Sequence, residues 1–234
     1  MHIDLPQPWP RTADEALAMQ DRLRAKVILD DDVRDDPRIV AGLDVAYAPG
    51  SDCAAAAAVL LDAESGAVVE SSTAYIKVDF PYVPGLFAFR EVPALLAALR
   101  GLRTVPDLLV CDGHGLAHPR RFGLACHLGV LTGLPSIGVG KTAFVGEHSK
   151  VGAERGAWAP LTEAGEVIGR VLRTRTGVKP VFVSVGHRIG LDRASAQVLR
   201  LCRGFRLPET VRAADHLCRQ TLAARSDSPR SGSC

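Results

Sequence analysis

Hydrophobic and polar positions along the chain change period several times, and each change marks an element. Thr12 with Glu15 forms the T-x-x-E pattern of a capping box, and the apolar stripe behind it predicts an amphipathic helix to about Val27. The acidic run DDDVRDDP, Asp30 to Pro37, reads as a loop. RIVAGLDVAY then shifts to a period of two, with Ile39 and Leu43 on one face and Val40 and Asp44 on the other, which predicts a strand. CAAAAAVLL predicts a second strand, and AVVESSTAYIKV, after the turn DAESG, a third. Connections this short make the three an antiparallel meander. Further on, FREVPALLAALRGL predicts a helix and DLLVCDG a strand whose lack of alternation implies burial on both faces. A helix near RRFGLACHLGVL and the short strand PSIGVG complete a βαβ unit. Between 143 and 186 the character changes, and GRVLRTRTGVKPVFVSVG reads as two strands around a turn at Gly177. Helices at about 191–203 and 208–223 follow, the second with Pro208 in its first turn. A meander followed by parallel βαβ strands predicts an α/β fold, one mixed sheet flanked by helices. No repeat or linker divides the chain, so a single domain is expected over 1–225, with 226–234 (SDSPRSGSC) read as a disordered tail.

One stretch fits neither period. In PYVPGLFAFRE, residues 81–91, Pro81 and Pro84 forbid regular pairing and Gly85 permits a sharp reversal, so a stiff apolar loop ends in the charged pair Arg90–Glu91.

Composition narrows the classes. With 234 residues, 47% hydrophobic and 23% charged, the chain is long and apolar enough for a substantial core. No run reaches the length of a membrane span, and the N-terminus lacks the pattern of a signal peptide. Six cysteines without a CxxC pair read as reduced, mostly buried thiols of a cytoplasmic protein. The net charge of +2 hides an asymmetry: residues 1–37 carry nine acidic against five basic side chains, whereas 167–225 carry twelve basic against three acidic. A positive half suits a phosphate backbone, although a basic solvated face would look the same.

Candidate chemistry gathers on a few residues. Asp44 lies inside an apolar strand, where a carboxylate is costly unless it is paired or binds a cation. Asp112 closes another strand, at the end where sites gather in sheets with parallel strands. With Glu91 opening a helix, these are oxygen ligands for a hard cation such as Mg²⁺, the inventory of a metal-dependent phosphodiesterase. GHGLAHPRRFGLACH adds His114, His118, Arg120, Arg121 and His127. Gly115 and Pro119 break the helix that a zinc-binding histidine pair would need, which disfavours zinc; a histidine there could instead relay a proton, and the arginines could clamp phosphates. SIGVGKTAF ends like a P-loop, but Pro135 stands where its first glycine belongs, so a nucleotide triphosphate is excluded and Lys141 is read as a cation beside the carboxylates.

The blocks AGLDVAY, PYVPGLFAFRE, DGHGLAHPRRFGLACHLGV, PSIGVGKT, VSVGHRIGLDRA and GFRLPETVRAADHLC together resemble the endonuclease V family, from about Ala41 to Leu217. The resemblance implies a ribonuclease H-like fold, with Mg²⁺ (Mn²⁺ able to substitute) held by Asp44 and Asp112 with Glu91 close by. It implies catalytic roles for His118, Lys141 and His216, and a wedge of Pro81, Tyr82, Val83, Pro84 and Gly85 with Tyr82 at its tip. Arg90 would tie that wedge to the metal centre and join Arg120 and Arg121 as a phosphate contact. A flipped base would sit near Gly113 and Gly115. The implied activity is hydrolysis of the second phosphodiester bond 3′ to a deoxyinosine, leaving 3′-hydroxyl and 5′-phosphate ends. The expected partner is damaged DNA, double- or single-stranded, and the protein is expected to be a monomer without membrane attachment. Inosine-containing RNA as the substrate, or binding without catalysis, remain the alternatives at this point.

Overall fold

The computed structural model describes residues 5–30 and 36–226. Most of the acidic loop, and the expected tail after Ser226, lie outside the described residues. The elements in chain order are α1 (Ala13–Arg24), β1 (Ile39–Tyr47), β2 (Cys53–Asp62), β3 (Val68–Lys77), α2 (Ala88–Arg100), β4 (Leu108–Asp112), α3 (Leu124–Thr132), β5 (Ser136–Gly140), β6 (Trp158–Glu163), β7 (Glu166–Leu172), β8 (Val181–His187), α4 (Leu191–Leu201) and α5 (Glu209–Ser226). The strands form one mixed sheet in the order β3-β2-β1-β4-β5-β8-β7-β6. β1, β2 and β3 are the antiparallel meander, β4 and β5 lie parallel to β1, and β8, β7 and β6 extend the sheet antiparallel. Helices cover both faces, and the architecture is ribonuclease H-like.

Small residues let the helices come close. Ala54 to Ala58 of β2 are fully buried; Ala56 and Ala58 pack with Leu95 and Leu99 of α2, whereas Ala57 faces Ala214 and Cys218 of α5. On β1, a Cβ at Gly42 would sit 2.0 Å from the Thr210 carbonyl oxygen, so α5 rests directly on the strand two residues before Asp44. In α2, Pro93 cannot donate to the carbonyl of Phe89 four residues earlier; Trp9 Nε1 donates to it instead at 3.2 Å. That bond fastens the N-terminal segment to the helix that carries Glu91.

Several expectations need correction. The segment 143–186 holds three strands, since β6 was missed: it lies on the sheet edge, where Pro160 loses no ladder bond and the apolar signal is thin. Helix α3 begins only at Leu124, because Arg121 takes a left-handed conformation (φ 53°) in the turn before it. Cys111, Cys126, Cys202 and Cys218 are free and buried as expected, but Cys53, half-buried at the start of β2, is disulfide-bonded. No helix among the described residues is long and apolar enough to cross a membrane.

Candidate active site

The parallel register of β1 and β4 brings the first two carboxylates together. Leu43 is level with Cys111, so Asp44 and Asp112 stand side by side one residue further on, at the carboxyl ends of adjacent strands. Their neighbourhood is costly for negative charge. Burial, then the charge of Asp112, raises Asp44 to about 7. Burial, then the charges of Asp44 and Asp112, holds Glu91, in the first turn of α2, well above the carboxylate range. A fourth acid comes from α5: Asp215 also raises Asp44, while pairing with Arg219 at 2.9 Å. Against these stands Lys141, the residue just after β5, whose ammonium donates to Asp112. Burial opposes its charge, but Asp112, Asp44 and Asp215 outweigh that and keep its pKa raised.

Carboxylates crowded together at a partly buried site are a donor set for a hard divalent cation, and oxygen is the ligand such an ion prefers. Among the described residues, no three His, Cys, Asp or Glu side chains are grouped tightly enough to hold an ion together as they stand. Lys141 supplies the counter-charge at Asp112 in this arrangement. The donors thus fit a cation by chemistry and proximity, with Asp44 and Asp112 as the pair in register.

Two cavities meet at Asp112. The first, about 440 Å³, is lined by Tyr82, Glu91, Gly113, His118 and Phe144 among others. Its outer wall is the proline loop. Tyr82 is 69% exposed at the tip, with its ring edge-on to Phe87 at 5.7 Å, and Phe87 in turn lies 6.0 Å from Tyr47 of β1. The loop is braced from four sides. Phe80 and Leu86 are buried anchors, and Arg90 donates to the Phe80 carbonyl while its guanidinium lies over Tyr47. The Gly85 carbonyl, at a left-handed reversal (φ 80°), accepts from Gln20 Nε2 at 3.3 Å. His118 reaches the same segment: burial lowers its pKa to about 4, partly offset by its hydrogen bond to the Gly85 backbone. Its Nδ1 accepts from Arg120 N at 3.1 Å, so the neutral ring carries its proton on Nε2.

The second cavity, about 720 Å³, lies on the α5 side and includes Lys141, Arg206, Arg212, Asp215 and His216. His216 is exposed at its rim. Asp215 is the member that the sequence reading missed.

Other expected residues lie elsewhere. Arg120 pairs with Asp21 of α1, and Arg121 with Glu163 and Glu166 of the β6–β7 hairpin, so in this structure both arginines tie elements together. Gly113 lines the first cavity, but Gly115 does not; a Cβ there would meet the Val185 carbonyl oxygen at 2.0 Å, so its bareness admits β8. His127 is fully buried between Phe89 and Phe122, each 4.7 Å away, and burial lowers its pKa to about 3.

Comparisons with known proteins agree with one another. The family model described as endonuclease V matches residues 21–216. A relative from Streptomyces coelicolor named endonuclease V is 56% identical over 221 residues, 94% of this chain and 95% of its own length. The crystal structure of endonuclease V from Streptomyces avermitilis superposes with a TM-score of 0.91 at 54% identity, covering 97% of this chain and all of the other. Endonuclease V from Ciona intestinalis, solved in complex with DNA containing an inosine followed by a ribo-adenosine, superposes with a TM-score of 0.80 at 28% identity, over 91% of this chain and 98% of its own.

Proposed function

The chain belongs to the endonuclease V family and is an endonuclease, and on that premise we propose that it cuts DNA at deoxyinosine, hydrolysing the second phosphodiester bond 3′ to the lesion. The products carry 3′-hydroxyl and 5′-phosphate ends, and the protein acts as a monomer through one domain spanning 1–225. The observation that carries this reading is the pairing of Asp44 and Asp112, in register and beside Lys141, at the edge of a cavity walled by an exposed tyrosine on a braced loop. The DNA complex of the Ciona relative supports an inosine-containing strand as the partner.

Each side chain has a task in this scheme. Tyr82 enters the stack where the damaged base leaves it; the four braces mean that little order is lost on binding. The base enters the first cavity, where Gly113 lets it approach the backbone. His118, neutral above pH 4, holds the wedge by its hydrogen bond to Gly85 and keeps the cavity wall in place. Asp44 and Asp112, with Glu91 behind them, would hold Mg²⁺, or Mn²⁺ in its place. Such an ion, when bound, would supply Lewis-acid charge to the phosphate under attack. Lys141 places a second positive charge beside Asp112, where negative charge grows on the phosphate during attack. His216 stands at the rim on the side where the strand departs.

The test compares three strands of one sequence: deoxyinosine in DNA, inosine in RNA, and undamaged DNA. Faster cutting of the deoxyinosine strand supports the proposal. Preferential cutting of RNA would transfer the same chemistry to a ribose-bearing substrate.

A further inference from the structure

The cavity on the α5 side has a feature that the proposed chemistry does not use. Phe205 is 43% exposed just after the left-handed reversal at Gly204 (φ 86°), and the Arg212 guanidinium lies 3.4 Å from its ring centre. Both line the cavity with Asp112 and Lys141. Among the described residues Arg212 has no acidic partner, so its charge is left for a ligand. Arg206 fixes this corner to the segments that follow β5 and precede β8: it donates to the carbonyls of Lys179 at 3.0 Å, Pro180 at 2.9 Å and Lys141. The platform and Lys141 are therefore held in one frame.

Direction follows from the two cavities sharing Asp112. A strand whose damaged base sits in the first cavity, and whose cut phosphate lies at Asp44 and Asp112, continues in its 3′ direction into the second. We infer that the α5-side cavity is the channel for the strand downstream of the cut, with the first base beyond the scissile bond stacked on the Phe205–Arg212 pair. The inference rests on the proposed activity. An aromatic ring beside a guanidinium grips any base by its π-face, without reading sequence. After hydrolysis the same channel holds the 5′-phosphate end.

The experiment uses the full chain with single-deoxyinosine strands that have from one to ten nucleotides beyond the scissile bond, together with a strand carrying 2-aminopurine at the first of these. For the wild type, KM falls as the first downstream nucleotides are added, and 2-aminopurine fluorescence is quenched on binding in chelator. Phe205→Ala and Arg212→Ala are expected to raise KM about tenfold, the order of one lost base–aromatic stack, with kcat and melting temperature unchanged. Phe205→Ala should also abolish the quench, and Phe205→Tyr should restore both. If Phe205→Ala cuts with unaltered KM, and the quench and length dependence persist, the channel is wrongly assigned while the activity stands. If the wild type neither binds nor cuts deoxyinosine strands, the activity itself falls, and the channel with it.

Discussion

Asp44 has a protonated form favoured by folding, because burial and the nearby Asp112 carboxylate both penalise its charge. Its pKa rises from 3.8 to about 7 on folding, so the stability it contributes is present below pH 3.8 and is lost as pH rises through about 7. Asp44→Asn should therefore raise the melting temperature of the chelated protein at pH 8, by about 2–4 °C per kcal/mol of relieved repulsion, and change it little at pH 4. Calorimetry at the two pH values checks this; an equal shift at both would mean that the carboxylates do not repel. The buried histidines act in the opposite sense. His118 and His127 lie at about 4 and about 3, below the ordinary 6.5, so their contribution is present above 6.5 and is lost as pH falls through those values. Asp44 and Asp112 could be found in the sequence because each is a carboxylate closing or interrupting an apolar strand. Asp215 could not. Adjacent helix residues point about 100° apart, and only the seating of α5 on Gly42 shows that Asp215 influences Asp44 while His216 stands at the rim.

Helix α5 is seated by contact with β1, and the proline loop by hydrogen bonds and ring contacts. At Gly42 a methyl group would collide with backbone, which cannot swing aside as a side chain can. Gly42→Ala should thus push α5 outward and cost roughly 1–3 kcal/mol or more, as overpacking does, lowering both melting temperature and nicking rate. A variant as stable and active as the wild type would show that α5 tolerates displacement. Tyr82→Ala tests the loop differently. The ring is largely exposed, so melting should hardly change, while affinity for a deoxyinosine duplex over an undamaged one should fall about tenfold as the filler for the vacated stack is lost. Titration of both duplexes measures it, and unchanged discrimination would remove Tyr82 from lesion recognition. The proline loop was legible because Pro81, Pro84 and Gly85 break every regular period. Its braces from Gln20 and His118 were not, since they join residues far apart in sequence. Strand β6 was hidden for a related reason: an edge strand needs neither an apolar run nor a full set of donors.

Over the whole molecule, the order of elements other than β6 was legible from periodicity. Short turns forced the meander, and the unbroken apolar run of β4, followed by a helix and the short strand β5, called for a parallel centre covered by helices. The antiparallel extension β8-β7-β6 was only partly visible, because nothing local says on which edge a hairpin will add. Charge is uneven at this scale too, with twelve basic and three acidic side chains in residues 167–225, the part of the chain that supplies α4 and α5. Binding to DNA should therefore weaken linearly in log affinity against log salt, by about 0.9 for each phosphate neutralised, and a flat response would deny that this half meets the backbone. The central claim is that Asp44 and Asp112 form a cation-dependent cutting centre placed one nucleotide beyond a base held behind Tyr82. Its most direct test is to map, on an end-labelled duplex with a single deoxyinosine, where the wild type and Asp44→Ala cut with and without Mg²⁺. The account predicts a nick at the second phosphodiester 3′ to the lesion, only with Mg²⁺, and in Asp44→Ala no nick with binding retained. Cutting in chelator, at another bond, or undiminished in Asp44→Ala would contradict it.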